Sequence, residues 1–431
     1  MTATIPDWIK TDDYFFSRKN PIANADQIWV EQAALRLLER DDIKAAGTHA
    51  KHLWGAVSQM ASAEAMAMLE PAMQEYCLNY CIKAASSDAS HPRIAQNWML
   101  EHEWFGHRIG SARIGGDNPD NGYRLIGIEH GAAYRIEGQR LNAGPADVTW
   151  TIVANAGTSM TLASLENADL VVADDGSFVV TIDDQPANGR SNHLQTKRGA
   201  LFVFIRDALG DWDAERANAL RVTRITPPST APIDDDEMAW RAIDWMLRDV
   251  SLYYWFTMLS IGKPAKKLPQ AVNSGAVGGL YSQSATSGFL RIADDEAYVV
   301  KVNGGGARFR DFVAHDWWFR SIAPDVRTGS LNNGQSAADE DGNFTYAISP
   351  RDPGIHNWLD TGGLHETIVL HRWQGVRRGM KESEQPRYFS AELLKLDDIE
   401  RSTAGAKRVT SVERAKQISD RQASYAARLA V

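Results

Sequence analysis

Between Gly116 and Arg124 the chain reads Gly-Asp-Asn-Pro-Asp-Asn-Gly-Tyr-Arg, which sets the Asp120 carboxylate close to the Tyr123 phenol and the Arg124 guanidinium. A base or acceptor, a phenol and a fixed cation at one loop-strand junction suit proton transfer next to a developing anion. The competing reading is structural: Asp117, Asn118 and Asn121 are turn formers whose side chains bond nearby backbone amides. A second group lies in Arg351-Asp352-Pro353-Gly354-Ile355-His356-Asn357-Trp358-Leu359-Asp360-Thr361, followed by His365 and His371. There His356, Asp360 and His365 are the acid-base candidates. His315-Asp316-Trp317-Trp318 sets aromatic surface beside polar groups, so His315, Trp317 and Trp318, with Arg351, Asn357 and Trp358, are candidates for binding a flat apolar ligand. A β core with a salt-bridged rim would use the same residues.

Three other signals carry less. His102-Glu103-Trp104-Phe105-Gly106-His107 imitates a zinc-protease helix, but on a helix histidines five apart leave one face, so no metal is expected. Gly304-Gly305-Gly306 lacks the strand, Lys and helix of a phosphate loop, and no Gly-x-Ser-x-Gly nucleophile elbow is present. Cys77 and Cys81, spaced i and i+4 on an expected helix, read as small core residues. No cofactor is expected.

The elements that must hold these residues show an internal repeat. Ser164-Leu165-Glu166-Asn167 and Asp175-Gly176-Ser177-Phe178 return as Ser330-Leu331-Asn332-Asn333 and Asp341-Gly342-Asn343-Phe344. Asn192-His193-Leu194-Gln195-Thr196 returns as Asn357-Trp358-Leu359-Asp360-Thr361, and two apolar runs end at Arg206 and Arg372. So long a period implies two duplicated β units over 122–206 and 288–372. Residues shared by both copies are expected to serve the backbone, Asn357 and Thr361 bracing loops as Asn192 and Thr196 do. Unshared ones are left for chemistry, and the two unshared groups are expected to converge on one pocket. The Asp-Gly pairs suggest hairpins, and Leu201 to Ile205 reads as a strand buried on both faces.

Helical periodicity runs from Asn24 to about Ala84 through Ile28, Leu35, Leu38, Leu53, Val57, Met60, Met66 and Leu69, with Pro71 marking a break. Asp234-Asp235-Asp236 opens a helix to about Leu259 that carries Trp240, Trp245, Tyr253, Tyr254, Trp255 and Phe256, which either line a pocket or wedge between the β units. The expected fold is α+β: a helical N-terminal region (1–114), two homologous antiparallel β-sandwich-like units (115–228 and 288–380) with an intervening helix and connecting loop (229–287), and a C-terminal helical tail (381–431) for docking or oligomer formation.

The 431 residues, 44% hydrophobic with 14 Trp, allow a large core, and a formal charge of −9 without charge blocks disfavours nucleic acid. Met1 to Asp13 lacks a signal-peptide pattern and no stretch reaches membrane-spanning length, so a cytoplasmic protein is expected.

Gly116 to Asp120, Tyr134-Arg135-Ile136, Asp211-Trp212 and above all Arg351-Asp352-Pro353-Gly354 with Asn357 to Thr361 resemble the bacterial family called domain of unknown function twelve-fourteen, over about residues 95 to 375. The resemblance implies a β-sandwich unit with helical additions and a bacterial source, and no reaction. In that family a His commonly precedes Gln in the Ser-Leu-Asn segment, whereas this chain has Asn333-Gly334-Gln335. The residues favour a cofactor-independent, lyase-type enzyme acting on a bulky aromatic or phenolic molecule by acid-base carbon-carbon cleavage, decarboxylation or elimination. A small-molecule hydrolase and a non-catalytic binding or assembly module are the alternatives.

Overall fold

The structure, a computed structural model, describes residues 13–17, 19–56, 60–141, 143–157, 160–261, 267–277, 280–377 and 379–431. Val57, residues 1–12 and the Phe256 side chain, which the sequence reading invoked, lie outside the described residues. The helical periodicity resolves into α1 (Ala25–Leu38), α2 (Asp41–Gly55), α3 (Ala63–Ala67) and α4 (Leu69–Ala85). Asn24 caps α1 by accepting from the Gln27 amide, and Ser62 caps α3 through Ala65; each satisfies a helix-end donor. Pro71 marks the break between α3 and α4, which falls at Met68. It sits in the first turn of α4, where its missing N–H has no intrahelical acceptor to lose.

Strands follow in two series. The first holds β1 (Ala95–Gln96), β2 (His102–Trp104), β3 (His107–Ile109), β4 (Asn121–Gly127), β5 (Tyr134–Gln139), β6 (Asp147–Val153), β7 (Thr161–Glu166), β8 (Ser177–Asp183), β9 (His193–Gln195), β10 (Phe202–Ala208) and β11 (Ala219–Arg224). After α5 (Asp235–Ile261) come β12 (Val272–Asn273), β13 (Ser284–Arg291), β14 (Glu296–Val302), β15 (Phe309–His315), β16 (Ser330–Asn332), β17 (Phe344–Ser349), β18 (Trp358–Asp360), β19 (Glu366–Gln374) and β20 (Tyr388–Lys395), then α6 (Ile399–Ser402) and α7 (Ser411–Leu429). The chain is thus a mixed α+β protein with N-terminal helices.

The two series are arranged alike. The five-stranded sheets run β1-β4-β10-β6-β7 and β12-β13-β19-β15-β16, and the four-stranded sheets run β11-β5-β8-β9 and β20-β14-β17-β18. Even the parallel pairs, β8 with β9 and β17 with β18, correspond. In each half one core draws on both sheets, around Trp150, Ile136 and Val180 in the first and Phe312, Val300 and Ile348 in the second. The other face of each five-stranded sheet meets the helices, so β10 sends Val203 and Ile205 into the sheet-to-sheet core and Phe202 and Phe204 toward α4 and α5.

Two expectations need correction. The Asp-Gly turns are not hairpins, because β7 pairs with β6 while β8 pairs with β5 and β9; the turns lie on crossings between sheets. Gly176 (φ 83°) and Gly342 (φ 79°) still supply the left-handed backbone those turns need. Residues 102–107 are not helical, since β2 and β3 form a hairpin with Trp104 opposite His107.

The halves also clasp each other reciprocally. Glu166 at the end of β7 accepts from the Ser282 amide (3.2 Å), and Asn332 at the end of β16 donates to Asp120 Oδ1 (2.9 Å). α7 then crosses both halves, with Arg428 donating to the Pro119 carbonyl, Arg421 to Ser330 Oγ and Arg414 paired to Asp352.

Candidate functional site

Where the two five-stranded sheets face α5, a cavity of about 580 Å³ opens, lined among others by Trp98, Tyr123, Phe204, Arg206, Tyr253 and Arg372. That volume suits a small organic ligand. Its aromatic wall is built from contact to contact: Trp98 stacks on Phe204 with centroids 5.2 Å apart, tilts against Tyr123 at 4.8 Å, and is pinned by its indole N–H donating to the Ile114 carbonyl at 2.8 Å.

Arg206 and Arg372 are the matched ends of the two apolar runs. Each sits on the central strand of its sheet, Arg206 opposite Thr149 and Tyr123, Arg372 opposite Asp311 and Ala285. Their surroundings differ. Arg372 Nη1 donates to Asp311 Oδ2 at 3.1 Å and its Nη2 to the Gly116 carbonyl. Arg206 donates to Thr151 Oγ1 at 3.0 Å and lies 3.9 Å over the Phe204 ring, and among the described residues no carboxylate is within ion-pair distance of it. Burial, aided by the nearby Arg372 charge, lowers the Arg206 pKa to about 10. Burial also lifts Asp311 to about 7, against the pull of Arg372.

A loop from the first half closes the cavity. Gly115 (φ 69°) and Gly116 (φ 76°) let the backbone pass close to Tyr253 and Leu370. The Gly116 amide donates to the Phe319 carbonyl, and His315 Nε2 hydrogen-bonds the Asp117 carbonyl at 2.8 Å. Asp117 lines the cavity, its Oδ1 accepting from the Ser321 amide (2.9 Å) and its Oδ2 from Ser321 Oγ (2.6 Å). Burial raises its pKa to about 6, with Arg113 opposing.

The residues singled out from sequence as catalytic do not share this cavity; only Tyr123 lines it. Asp120 is buried behind it, accepting from Trp212 Nε1 (2.8 Å) and Asn332. Arg124 follows Tyr123 on β4 and so turns to the opposite face, where it pairs with Asp207 and donates to the Asn218 carbonyl. His356 lines a separate groove of about 290 Å³ with Trp212 and Arg421, bonded to the Gln335 carbonyl. His365 is exposed on a third depression beside Glu64 and Asp294; burial works to lower its pKa, but those two carboxylates hold it up. Asp360 accepts from Arg327 (3.0 Å) and from the Gly362 amide. The two unshared groups therefore do not converge: strand alternation parts Arg124 from Tyr123, and His356 and His365 open onto two other depressions.

The binding candidates are also dispersed. Trp317 and Trp318 are buried in the helix-facing core, Trp318 donating to the Ala65 carbonyl. His315 is fully buried, and burial lowers its pKa to about 3, so it holds the Asp117 backbone as a neutral ring. Arg351 pairs with Asp294 at the surface, and Trp358 donates to the Ser349 carbonyl. Asn357 bonds the Ala337 amide and carbonyl as Asn192 bonds those of Val171, which is loop bracing in both halves. On α5, Tyr253 lines the cavity and Trp245 is core, while Trp240 and Trp255 are exposed.

His102 and His107, though not on a helix, are brought together by the β2–β3 hairpin: their Nε2 atoms lie 3.2 and 3.4 Å from the two oxygens of buried Glu31. Among the described residues no three His, Cys, Asp or Glu side chains are placed to hold a metal ion. Cys77 and Cys81 are free thiols on α4, and burial pushes Cys77 up to about 12. Arg206, Arg372 and Asp117 are what the sequence reading missed as site residues, whereas Tyr253 is one of the α5 aromatics it offered as pocket lining. The available signal was a cation ending an apolar strand in both copies.

No curated protein matches the chain. An uncharacterised protein from Burkholderia cenocepacia is similar in structure, with a TM-score of 0.68 and 21% identity over 84% of this chain and 99% of that one, which shows a shared fold. The VPA0106 protein from Vibrio parahaemolyticus aligns with a TM-score of 0.40 and 11% identity over 65% of this chain and 90% of that one. No helix of the described residues is long and apolar enough to cross a membrane. Residues 117–207 match the family model of the protein of unknown function DUF1214, the same family that the motifs resemble; the matched stretch lies in the first half, and residues 351–361 lie outside it.

Proposed function

We propose that the protein is a lyase-type enzyme that holds a bulky aromatic or phenolic anion in the cavity between its halves and works on it by acid-base steps, as in decarboxylation, elimination or carbon-carbon cleavage. The observation that carries this is Arg206: a guanidinium beside an aromatic wall, facing a second guanidinium, with no carboxylate partner of its own among the described residues. A cation so placed is stabilised by an anion brought in from outside. The aromatic wall would take the ring, Arg206 and Arg372 the carboxylate, and Asp117 and Tyr123 the proton. The matching strand orders and cores further support two homologous sandwich-like units derived by duplication, the cavity being their common seam.

One observation favours the non-catalytic binding module. Both oxygens of Asp117 are already held by Ser321, which restrains it as a base. Titration calorimetry with cinnamate tests the shared premise: wild type should bind, and Arg206→Gln should weaken binding about 10- to 100-fold, the range expected when a charge-assisted hydrogen bond is lost. Equal affinity in the two proteins would remove the proposal. Turnover of a bound aromatic acid would separate the enzyme from the binding module.

A further inference from the structure

α5 packs against α2 and α4 along one side, where Met238, Ala242, Trp245, Met246 and Tyr253 are buried. Its other side carries a regular stripe. Trp240, Leu247 and Tyr254 recur every seven residues, with Asp244, Ser251 and Met258 four places after each. Such a repeat is the seam that one helix offers to another. Leu247, Tyr254 and Met258 are half-buried along it, whereas Trp240 and Trp255 stand 63% and 60% exposed. They lie roughly 22 Å apart at the helical rise. Two tryptophans so exposed on one stripe go beyond the scatter of single apolar side chains that any surface carries, and mark a face that meets another protein.

The order of residues on the stripe selects the partner. Laid antiparallel on itself about a two-fold axis through Leu247, it sets Trp240 opposite the partner's Tyr254, whose ring meets Trp255 edge-on at 5.9 Å, and Ile243 opposite the partner's Ser251. The same register brings Arg248 within one helical turn of the partner's Asp244. Inside one chain those two charges are loosely joined: Nη1 of Arg248 lies 3.3 Å from Oδ2 of Asp244, and among the described residues Nη2 of Arg248 and Oδ1 of Asp244 have no hydrogen-bond partner. One acid and one base on a single face complement a second copy of that face better than a partner of uniform charge.

We propose that the protein forms a two-fold homodimer through this face of α5, with Leu247 on the axis, Trp240 against the partner's Tyr254 and Trp255, and Arg248 paired across the axis with the partner's Asp244. The opposite face of α5 presents Tyr253 to the cavity, so each helix walls its own cavity and braces its partner from behind. The dimer does not depend on the anion-binding reading above.

Sedimentation equilibrium of the full chain at micromolar concentration tests it. Wild type should show twice the 47.7 kDa of one chain. Trp240→Glu changes an exposed side chain, so circular dichroism should stay that of the wild type while the dimer weakens by at least about 10-fold, the scale of a lost tryptophan hot spot. Asp244→Arg should also dissociate the dimer, by setting like charges across the axis, and adding Arg248→Asp should restore it. Mass is the deciding readout, because a pair acting only within the helix would not move it. A monomeric wild type would overturn the proposal, as would a dimer that neither Trp240→Glu nor Asp244→Arg weakens, which would use another surface. A monomer that dimerises once residues 1–12 are removed would overturn it too, by assigning the face to the chain's own first residues.

Discussion

The two halves place the same residue at the same point and give it opposite circumstances. Arg206 at the centre of the first inner sheet faces Thr149 across the ladder, while Arg372 at the centre of the second faces Asp311. One strand order yields one address, and the residue across the ladder decides whether the cation there is satisfied. The first half is also the one backed by Lys83, a lysine 1% exposed with no hydrogen-bond partner, 4.3 Å over Tyr80 and 5.2 Å over the cavity-lining Trp98. The cation without a carboxylate, Arg206, thus lies on the first half's side of the cavity, where burial also drives Lys83 toward its neutral form, and the second half supplies a cation already balanced. The strand-centre position next to Arg206 carries the reverse lesson: Ile205 corresponds to His371, and that histidine is packed between Phe312 and Trp373 (4.5 and 3.8 Å) and bonded to Tyr388, a core role.

The largest expected effect comes from unbalancing the second half. Asp311→Asn should cost about 3–5 kcal/mol by leaving Arg372 buried without its carboxylate, and cinnamate should restore part of the lost melting temperature by supplying an anion to both arginines. A variant as stable as wild type, or one that cinnamate does not rescue, would break the contrast between the halves.

Making the first half resemble the second is the converse experiment. Thr149→Asp sets a carboxylate opposite Arg206 and should weaken cinnamate binding about 10- to 100-fold by occupying the free cation. Undiminished affinity would show that Arg206 is not the anion's partner.

A smaller effect, with a defined pH dependence, is expected at Lys83. Burial lowers its pKa from 10.5 to about 7, despite the Asp249 charge. The unfolded chain therefore binds more protons than the folded one between about pH 7 and 10.5, so the wild type gains stability as pH rises through that window and bears the full penalty below it. Lys83→Met should exceed wild type by about 1–3 kcal/mol at pH 6, the scale of an unpaired buried polar group, and the gap should close toward pH 10.5. Urea melts at several pH values measure it; a gap independent of pH would mean that Lys83 is not held neutral.

The chain's helices were legible because their signals are local. Asp235 opens α5 and Ser411–Leu429 forms α7 as periodicity and capping residues indicate, and the 166-residue offset of the Ser-Leu and Asp-Gly matches corresponds to strands of one order. Shared Asn192 and Asn357 were recognisable as loop braces for the same reason: their partners, Val171 and Ala337, lie within the repeat. Tertiary structure alone decided the rest. The His102 and His107 spacing takes its meaning from a hairpin and from Glu31 on α1, and Arg124 and Tyr123, adjacent in sequence, part to opposite faces of β4. Arg206 and Arg372 read from sequence as a matched pair of strand ends. Their different states depend on which residue the ladder sets across from each, and on loops such as Gly115 to Asp117 brought in from the other half. Sequence periodicity encodes which face a side chain takes within its element, but the charge balance of a buried group is a sum over neighbours from distant segments, fixed only when those segments pack.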